Sequence, residues 1–392
     1  MMSLSSGSVA THLRILRRCG YCRLAGGARV ARLGSLHALY RGFTLALTTL
    51  YLLQECIYAY QVRQDMDKLA RVMFLLLCHI TSIAKQLVFH LKADRIDEML
   101  GGLNEPLYNQ SAAVHQRLLR VTAARAARFV RAYAGCAVVT CTLWITFPVM
   151  YHLQGQLVEF PFWINVDYNQ SKMFILVLAY SYYVTTLVGI ANTTMDAFMA
   201  TVLNQCKTQL RILRINFECL PLQAVEVLKT SPGQSYDAVL MKLFKECLLH
   251  YEKITKTAKM LQDIFGTAIL IQFGIGGWIL CMAAYKIVTL NVLSVEFASM
   301  TLFISCILTE LFLYCYYGNE VTDESSRVSE SLYSMEWARA GLSFRRSLVL
   351  VMERAKRPLR PAAGRVIPLS LDTFVKIIKS SYTFYAVLRQ TK

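Results

Sequence analysis

The residues best able to do chemistry lie where an apolar chain turns polar. The last helix-length stretch, Pro368 to Lys392, carries Asp372, Lys376 and Lys379 in its first half. Hydroxyls follow at Ser380, Ser381, Tyr382, Thr383 and Tyr385. A membrane-crossing segment this polar faces protein or water rather than lipid, so it reads as the wall of a pathway. Within it Phe384, Val387 and Thr391 share one helical face at i, i+3 and i+7, with Gln390 beside that face. Lys376 and Lys379, one turn apart, read as a solvated cytoplasmic face. Glu310 is the only acid in its apolar stretch; a carboxylate there must be paired, protonated or in water. A structural hydrogen bond is favoured for it over an ion site. His79 and His90 lack partners at ligand spacing and read as structural. Cys19-x-x-Cys22 has no second pair to complete a metal or redox site. The sequence presents no nucleophile–base pair, phosphate loop or metal cluster, so neither enzyme nor cofactor is expected.

The elements that position these groups are membrane helices. Only 17% of the 392 residues are charged, against about 25% in ordinary soluble chains. Several windows of about 20 nearly uncharged residues indicate a multi-pass membrane protein. The net charge of +17 reads as a cytoplasmic surplus facing membrane lipid, not as a nucleic-acid surface. Seven spans are expected, near 36–60, 69–91, 129–152, 173–203, 264–285, 297–317 and the C-terminal stretch. Arg71 and Lys85 near the ends of the second span are expected to snorkel to the interface.

Basic residues set the orientation. With the N-terminus inside, segments 1–41, 92–128, 204–262 and 318–367 hold 31 Lys and Arg, the outside holds six, and five lie within spans. That bias places the N-terminus in the cytoplasm and the C-terminus outside. The N-terminus has no short apolar core with a cleavage site, so no signal peptide is expected. Its Arg- and Ser-rich composition superficially resembles a mitochondrial transit peptide, but a cytoplasmic arm is the plainer reading. His12 to Arg18 is expected as an amphipathic helix on the membrane surface. Asn169-Gln-Ser171 is an outward sequon, whereas Asn109-Gln-Ser111 faces the cytosol. Cys19, Cys22, Cys206, Cys219 and Cys247 fall in cytosolic segments and stay reduced; the cysteines in spans, Cys56 among them, read as small buried hydrophobes.

The organisation expected is a basic cytoplasmic arm over 1–35, four spans over 36–203, a cytoplasmic loop and helix over 204–263, two spans over 264–317, a cytoplasmic anchor helix and basic loop over 318–367, and a last helix over 368–392. Tyr236–Asp263 repeats apolar residues with a helical period at Val239, Leu240, Leu243, Phe244, Cys247 and Leu248. It is expected to run unbroken into the fifth span. Glu320–Met352 is expected as a similar extension of the sixth, the two packing together as an anchor. Breaks fall at Ser231-Pro-Gly233 and at Arg357 to Gly364, the second basic and expected to be mobile.

Three features together resemble the insect odorant receptor family: the inverted seven-span topology; Tyr314-Cys-Tyr-Tyr-Gly-Asn-Glu320 before a helix with Ser329, Tyr333 and Trp337; and the run Gly364 … Leu369-Ser-Leu-x-Thr-Phe374 … Ser381-Tyr382 … Leu388. Segment 204–262 is short beside the family's co-receptor, which suggests an odorant-specific tuning subunit. The resemblance implies a ligand-gated, non-selective cation channel in the plasma membrane of a sensory dendrite, assembled with the co-receptor as a tetramer. It also implies a central pore lined by the outer half of the last helix, with Phe384 on the pore face, an apolar constriction at Val387 and the polar Gln390 and Thr391 beyond it. An apolar ring can close a pore by dewetting.

The resemblance further implies that a small volatile odorant enters among the outer halves of the spans. Met73, Phe74 and Leu77 of the second span, Thr140, Trp144, Phe147 and Tyr151 of the third, Tyr180 and Tyr183 of the fourth, and Phe297 and Thr301 of the sixth are the candidates. Aromatics with a few hydroxyls suit a small, mostly apolar ligand. The alternatives are a gustatory-receptor-like channel, a seven-helix metabotropic receptor, or a carrier. The terminal sequence disfavours the first, and the charge bias disfavours the second. A carrier would show repeated halves or broken spans.

Overall fold

The computed structural model describes residues 3–24, 31–155, 158–166, 171–230, 233–288 and 290–390. The sequon residue Asn169 and Thr391 lie outside them. The described chain is an all-α bundle. Its elements are α1 (Leu4–Arg18), α2 (Ala31–Gln61), α3 (Met66–Leu91), α4 (Ala93–Gly102), α5 (Ala113–Leu153), α6 (Ser171–Thr230), α7 (Tyr236–Val288), α8 (Val295–Ser326), α9 (Val328–Ser334), α10 (Leu342–Ala355) and α11 (Leu371–Gln390). Five of these (α3, α5, α6, α7 and the α8–α9 stretch) are long and apolar enough to cross a membrane. The remaining two expected spans are α2 and α11, the latter with Asp372, Lys376 and Lys379 in its first half. The helix order matches the seven-span reading, and the basic-residue bias orients it.

α6 is the hub. It packs on α5, α7, α8 and α1, and every residue from Thr193 to Leu203 is buried. Four of these, Thr193, Thr194, Asp196 and Thr201, are polar, so the centre of the bundle must supply partners to them. α6 does not end at 203. The expected loop from 204 is helical to Thr230, with Pro221 inside the helix. α7 runs unbroken from Tyr236, as its apolar period requires, and buries Val239, Leu240, Phe244 and Cys247.

Several expectations change. Lys85 does not snorkel: its side chain is fully buried and ion-paired with Asp196 and Glu310. α1 does not lie on the membrane surface. It packs on α5 and α6 and buries Val9, Leu13 and Leu16 together with Ser5, Ser8 and His12. Two of its polar side chains bond across the packing, Ser5 Oγ donating to Tyr108 O at 2.7 Å and Thr201 meeting His12 Nε2 at 3.1 Å. Cys56 is exposed rather than buried.

The extension of the sixth span also breaks. α8 ends at Ser326, α9 stops at Ser334, and Trp337 sits in the turn before α10. The kinked pieces stay attached through charge. Arg214 of α6 donates to Glu324 at 2.8 Å and to Ser331 Oγ at 3.0 Å. Phe244 and Phe344 meet edge-on at 5.1 Å. α6, α7, α9 and α10 thus pack together around short breaks.

The basic segment before α11 is not loose. Ala362–Ala363 pairs antiparallel with Ile367–Pro368. Gly364 N donates to Gly266 O of α7 at 2.8 Å, Leu359 N to Ser325 Oγ at 2.9 Å, and Arg365 to Asp263 at 2.6 Å. Gly364 has φ +57, and a Cβ there would fall 2.6 Å from Leu270 Cδ2. Only glycine allows this approach. The hairpin delivers the chain to α11, where Thr373 Oγ1 donates to Pro368 O at 2.8 Å.

Candidate ligand cavity and pore helix

A cavity of about 100 Å³ lies between α3, α5, α6 and α8. It is smaller than the ~300 Å³ at which drug-sized pockets begin, so it admits a small molecule. Its outer end is aromatic. Trp144 stands 5.5 Å from Phe303, and Phe74 meets both, at 5.6 Å and 5.3 Å between ring centres. This cluster separates the cavity from an outer vestibule of about 480 Å³, in which Trp144 is also a wall. Ion pairs Lys68–Glu159 at 2.6 Å and Lys286–Glu296 at 3.7 Å mark the vestibule rim.

The inner end is polar. His79, Tyr133, Asn192, Thr193 and Glu310 line it. Behind Glu310 sits a buried ionic cluster. Lys85 Nζ donates to Asp196 Oδ1 at 2.6 Å, to Asn192 Oδ1 at 3.0 Å and to Glu310 Oε1, and Tyr314 OH donates to Asp196. Residues from α3, α6 and α8 meet here, and a buried charge survives only when paired in this way. His79 Nδ1 meets the buried Glu55 carboxylate of α2 at 2.8 Å. Among the described residues no group of three His, Cys, Asp or Glu is arranged to hold a metal ion.

Of the expected ligand residues, Thr140 and Trp144 line the cavity. Phe74, Trp144, Phe147 and Tyr151 line the vestibule. Met73 and Leu77 are half-buried on α3 and face neither space. Tyr180 belongs to a separate cluster with Tyr51 and Phe162, its hydroxyl donating to Gln54 at 2.9 Å. Tyr183 is half-exposed. Phe297 and Thr301 occupy the first turns of α8, off the face that carries Phe303, Ile307 and Glu310 into the cavity. The sequence reading missed the deep end, His79 and Glu310 above all. The signal was present: an ionisable residue inside a span marks a functional position by default.

α11 packs on α7 and α8 with one side only. Thr373 and Ser381 are buried. Val375, Ile378, Tyr382, Phe384 and Val387 are exposed on this single chain. Phe384 stacks on Trp278 at 5.5 Å with a 19° interplanar angle. Gln390 ends the helix, and Lys376 pairs with Asp372 at 2.6 Å. α8 touches both places. It presents Glu310 to the cavity, and two residues on, Phe312 packs edge-on against Phe374 of α11 at 5.5 Å.

Known proteins agree with this architecture. Odorant receptor 94a of Drosophila melanogaster is 24% identical over 238 residues, 60% of this chain and 59% of that protein. Odorant receptor Or2 of Anopheles gambiae is 28% identical over 160 residues, 41% of this chain and 42% of that one. The alignments thus span about half the length of these relatives. The insect olfactory receptor OR5 of Machilis hrabei, solved in complex with eugenol, superposes with TM-score 0.81 over 97% of both chains at 16% identity, and so shares the fold. The profile of the family described as 7tm Odorant receptor matches residues 65–382, and the chain belongs to that family.

Proposed function

We propose that this chain is the odorant-binding subunit of a ligand-gated, non-selective cation channel assembled with a co-receptor, as a tetramer, in the plasma membrane of a sensory neuron. The observation that carries the reading is the cavity behind the Phe74–Trp144–Phe303 cluster. A mostly apolar space with a few convergent polar groups is the form that small-molecule sites take. The eugenol complex of the related receptor favours a small volatile organic ligand. Odorant enters by the vestibule, past Phe147 and Tyr151, and settles between Trp144 and Thr140.

The same helix that walls the cavity packs on α11, so a ligand that displaces α8 biases the last helix. Phe384, Val387, Gln390 and Thr391 form this subunit's share of the pore, with Val387 as the apolar constriction. The experiment is whole-cell recording with and without the co-receptor. Ligand-evoked current that needs the co-receptor and survives G-protein block supports the channel. Current abolished by that block would sink it. Val387→Ser is expected to raise resting current; an unchanged current removes the pore assignment.

A further inference from the structure

We propose that the cavity selects ligands carrying a hydroxyl group, which it seats at its inner end between the Glu310 carboxylate and the Asn192 amide. The proposal rests on the reading that this cavity is the odorant site, and it adds the chemical class of the odorant.

The argument is an accounting of protons. Each hydroxyl around the cavity has already given its hydrogen to a helix carbonyl. Thr140 donates to Cys136 O at 2.9 Å, Thr185 to Ser181 O at 2.7 Å, Thr193 to Gly189 O at 2.9 Å, and Tyr133 to Cys306 O at 2.8 Å. What these four present to a ligand is oxygen lone pairs. Glu310, ion-paired with the Lys85 ammonium, accepts there. The Glu55 carboxylate takes its hydrogen bond from His79 Nδ1, at 2.8 Å, so that donor is also already used. Lys85, the one strong cationic donor nearby, spends its hydrogens on Asn192, Asp196 and Glu310.

The exception is Asn192. Its oxygen accepts from Lys85 at 3.0 Å, which leaves its NH2 as the donor for a ligand. Asn192 and Glu310 contact the same Lys85 Nζ, so one small group reaches both. A hydroxyl donates to the carboxylate and accepts from the amide. An ether, aldehyde or hydrocarbon brings no hydrogen to a floor made almost wholly of acceptors. The lone pairs it faces then lose water without replacement. The hydrocarbon part of the alcohol lies outward, against Trp144 and Phe303.

The test uses the purified full chain in lipid nanodiscs. The probes are hexanol and phenylethanol, each against its methyl ether, its aldehyde and its parent hydrocarbon. Affinity is read by competition with a fluorescent ligand or by thermal shift. Alcohols are expected to bind at least about tenfold tighter than the ether and aldehyde, as a hydrogen bond to a charged group implies. Glu310→Gln keeps an oxygen for Lys85 and turns an NH2 into the cavity, so it should reverse the preference toward aldehyde. If that variant fails to fold, Tyr133→Phe and Thr193→Val should each narrow the alcohol's margin.

Equal affinities across the panel, or no binding by either alcohol, overturn the inference. Trp144→Ala separates this from the broader reading. If it weakens every compound while alcohols show no margin, the cavity is the site and only the hydroxyl preference fails. If neither Trp144→Ala nor Glu310→Gln changes any affinity, the cavity itself is not the site and both fail.

Discussion

Replacing Lys85 by Met tests whether the ionic cluster behind the cavity holds the bundle together. Met keeps the length of the side chain and removes its charge. In the native chain Lys85 Nζ has three acceptors, Asn192 Oδ1 at 3.0 Å, Asp196 Oδ1 at 2.6 Å and Glu310 Oε1. All the acidic and basic groups of the cluster are at most 1% exposed. After the change Asp196 keeps only the Tyr314 hydroxyl, its Oδ2 having no partner to begin with. Glu310 loses the ammonium it faces. Stranding a buried charge by removing its partner costs about 3–5 kcal/mol. Removing the whole cluster costs less than breaking it, because no charge is left unpaired. Lys85→Met should therefore lower the unfolding temperature of the purified protein in nanodiscs sharply. The triple change Lys85→Met, Asp196→Asn, Glu310→Gln should recover part of that loss. Lys379→Met, on the exposed side of α11, is the control. A single variant no less stable than the control, or a triple variant worse than the single, would refute the reasoning.

The cytoplasmic side carries a pH dependence. Burial lowers His12 and His250 to about 4 from 6.5, and His115 beside His250 adds to the second shift. The folded state keeps these rings neutral while the unfolded chain takes up protons near pH 6.5. Stability is then complete above about pH 6.5 and falls as pH drops toward 4, by about 3 kcal/mol for each histidine. Unfolding followed against pH should show that loss, and His12→Gln with His250→Gln should flatten it. Gly364→Ala puts a Cβ against Leu270 at a φ of +57, a strain of about 1–3 kcal/mol. It should raise hydrogen exchange across 359–370 before global unfolding. Phe344→Ala empties a buried site beside Phe244. It should cost about 3–5 kcal/mol, read as lower surface expression and a lower unfolding temperature.

The helices were legible because membrane spans announce themselves by length and by the absence of charge. The α7 extension was legible because its apolar residues repeat with a helical period. What failed was everything decided by a distant partner. Lys85 sits near the end of its apolar run, where snorkelling is the local expectation. Its carboxylates lie 111 and 225 residues away, and nothing local fixes that three helices turn these groups toward one point. α1 failed for the same reason. Its apolar stripe suits a membrane surface equally well, and the groove that takes it is built by α5 and α6.

The cavity residues show where the limit falls within a single helix. Phe297 and Thr301 lie at the outer end of the sixth span, and depth alone recommends them. The inward face of α8 is set by packing on α5 and α6, and it runs through Phe303, Ile307 and Glu310. Depth follows from topology; phase does not, because a nearly uniform apolar span has no polar stripe to orient it. The lone ionisable groups are the exception. A carboxylate in a span must point away from lipid, so Glu310 alone fixes the phase of α8. Treated as a set, the in-span Lys85, Asp196, Glu310 and the Glu55–His79 pair require α2, α3, α6 and α8 to converge. The deep end of the cavity follows from that convergence, and its aromatic mouth from the residues one and two turns outward.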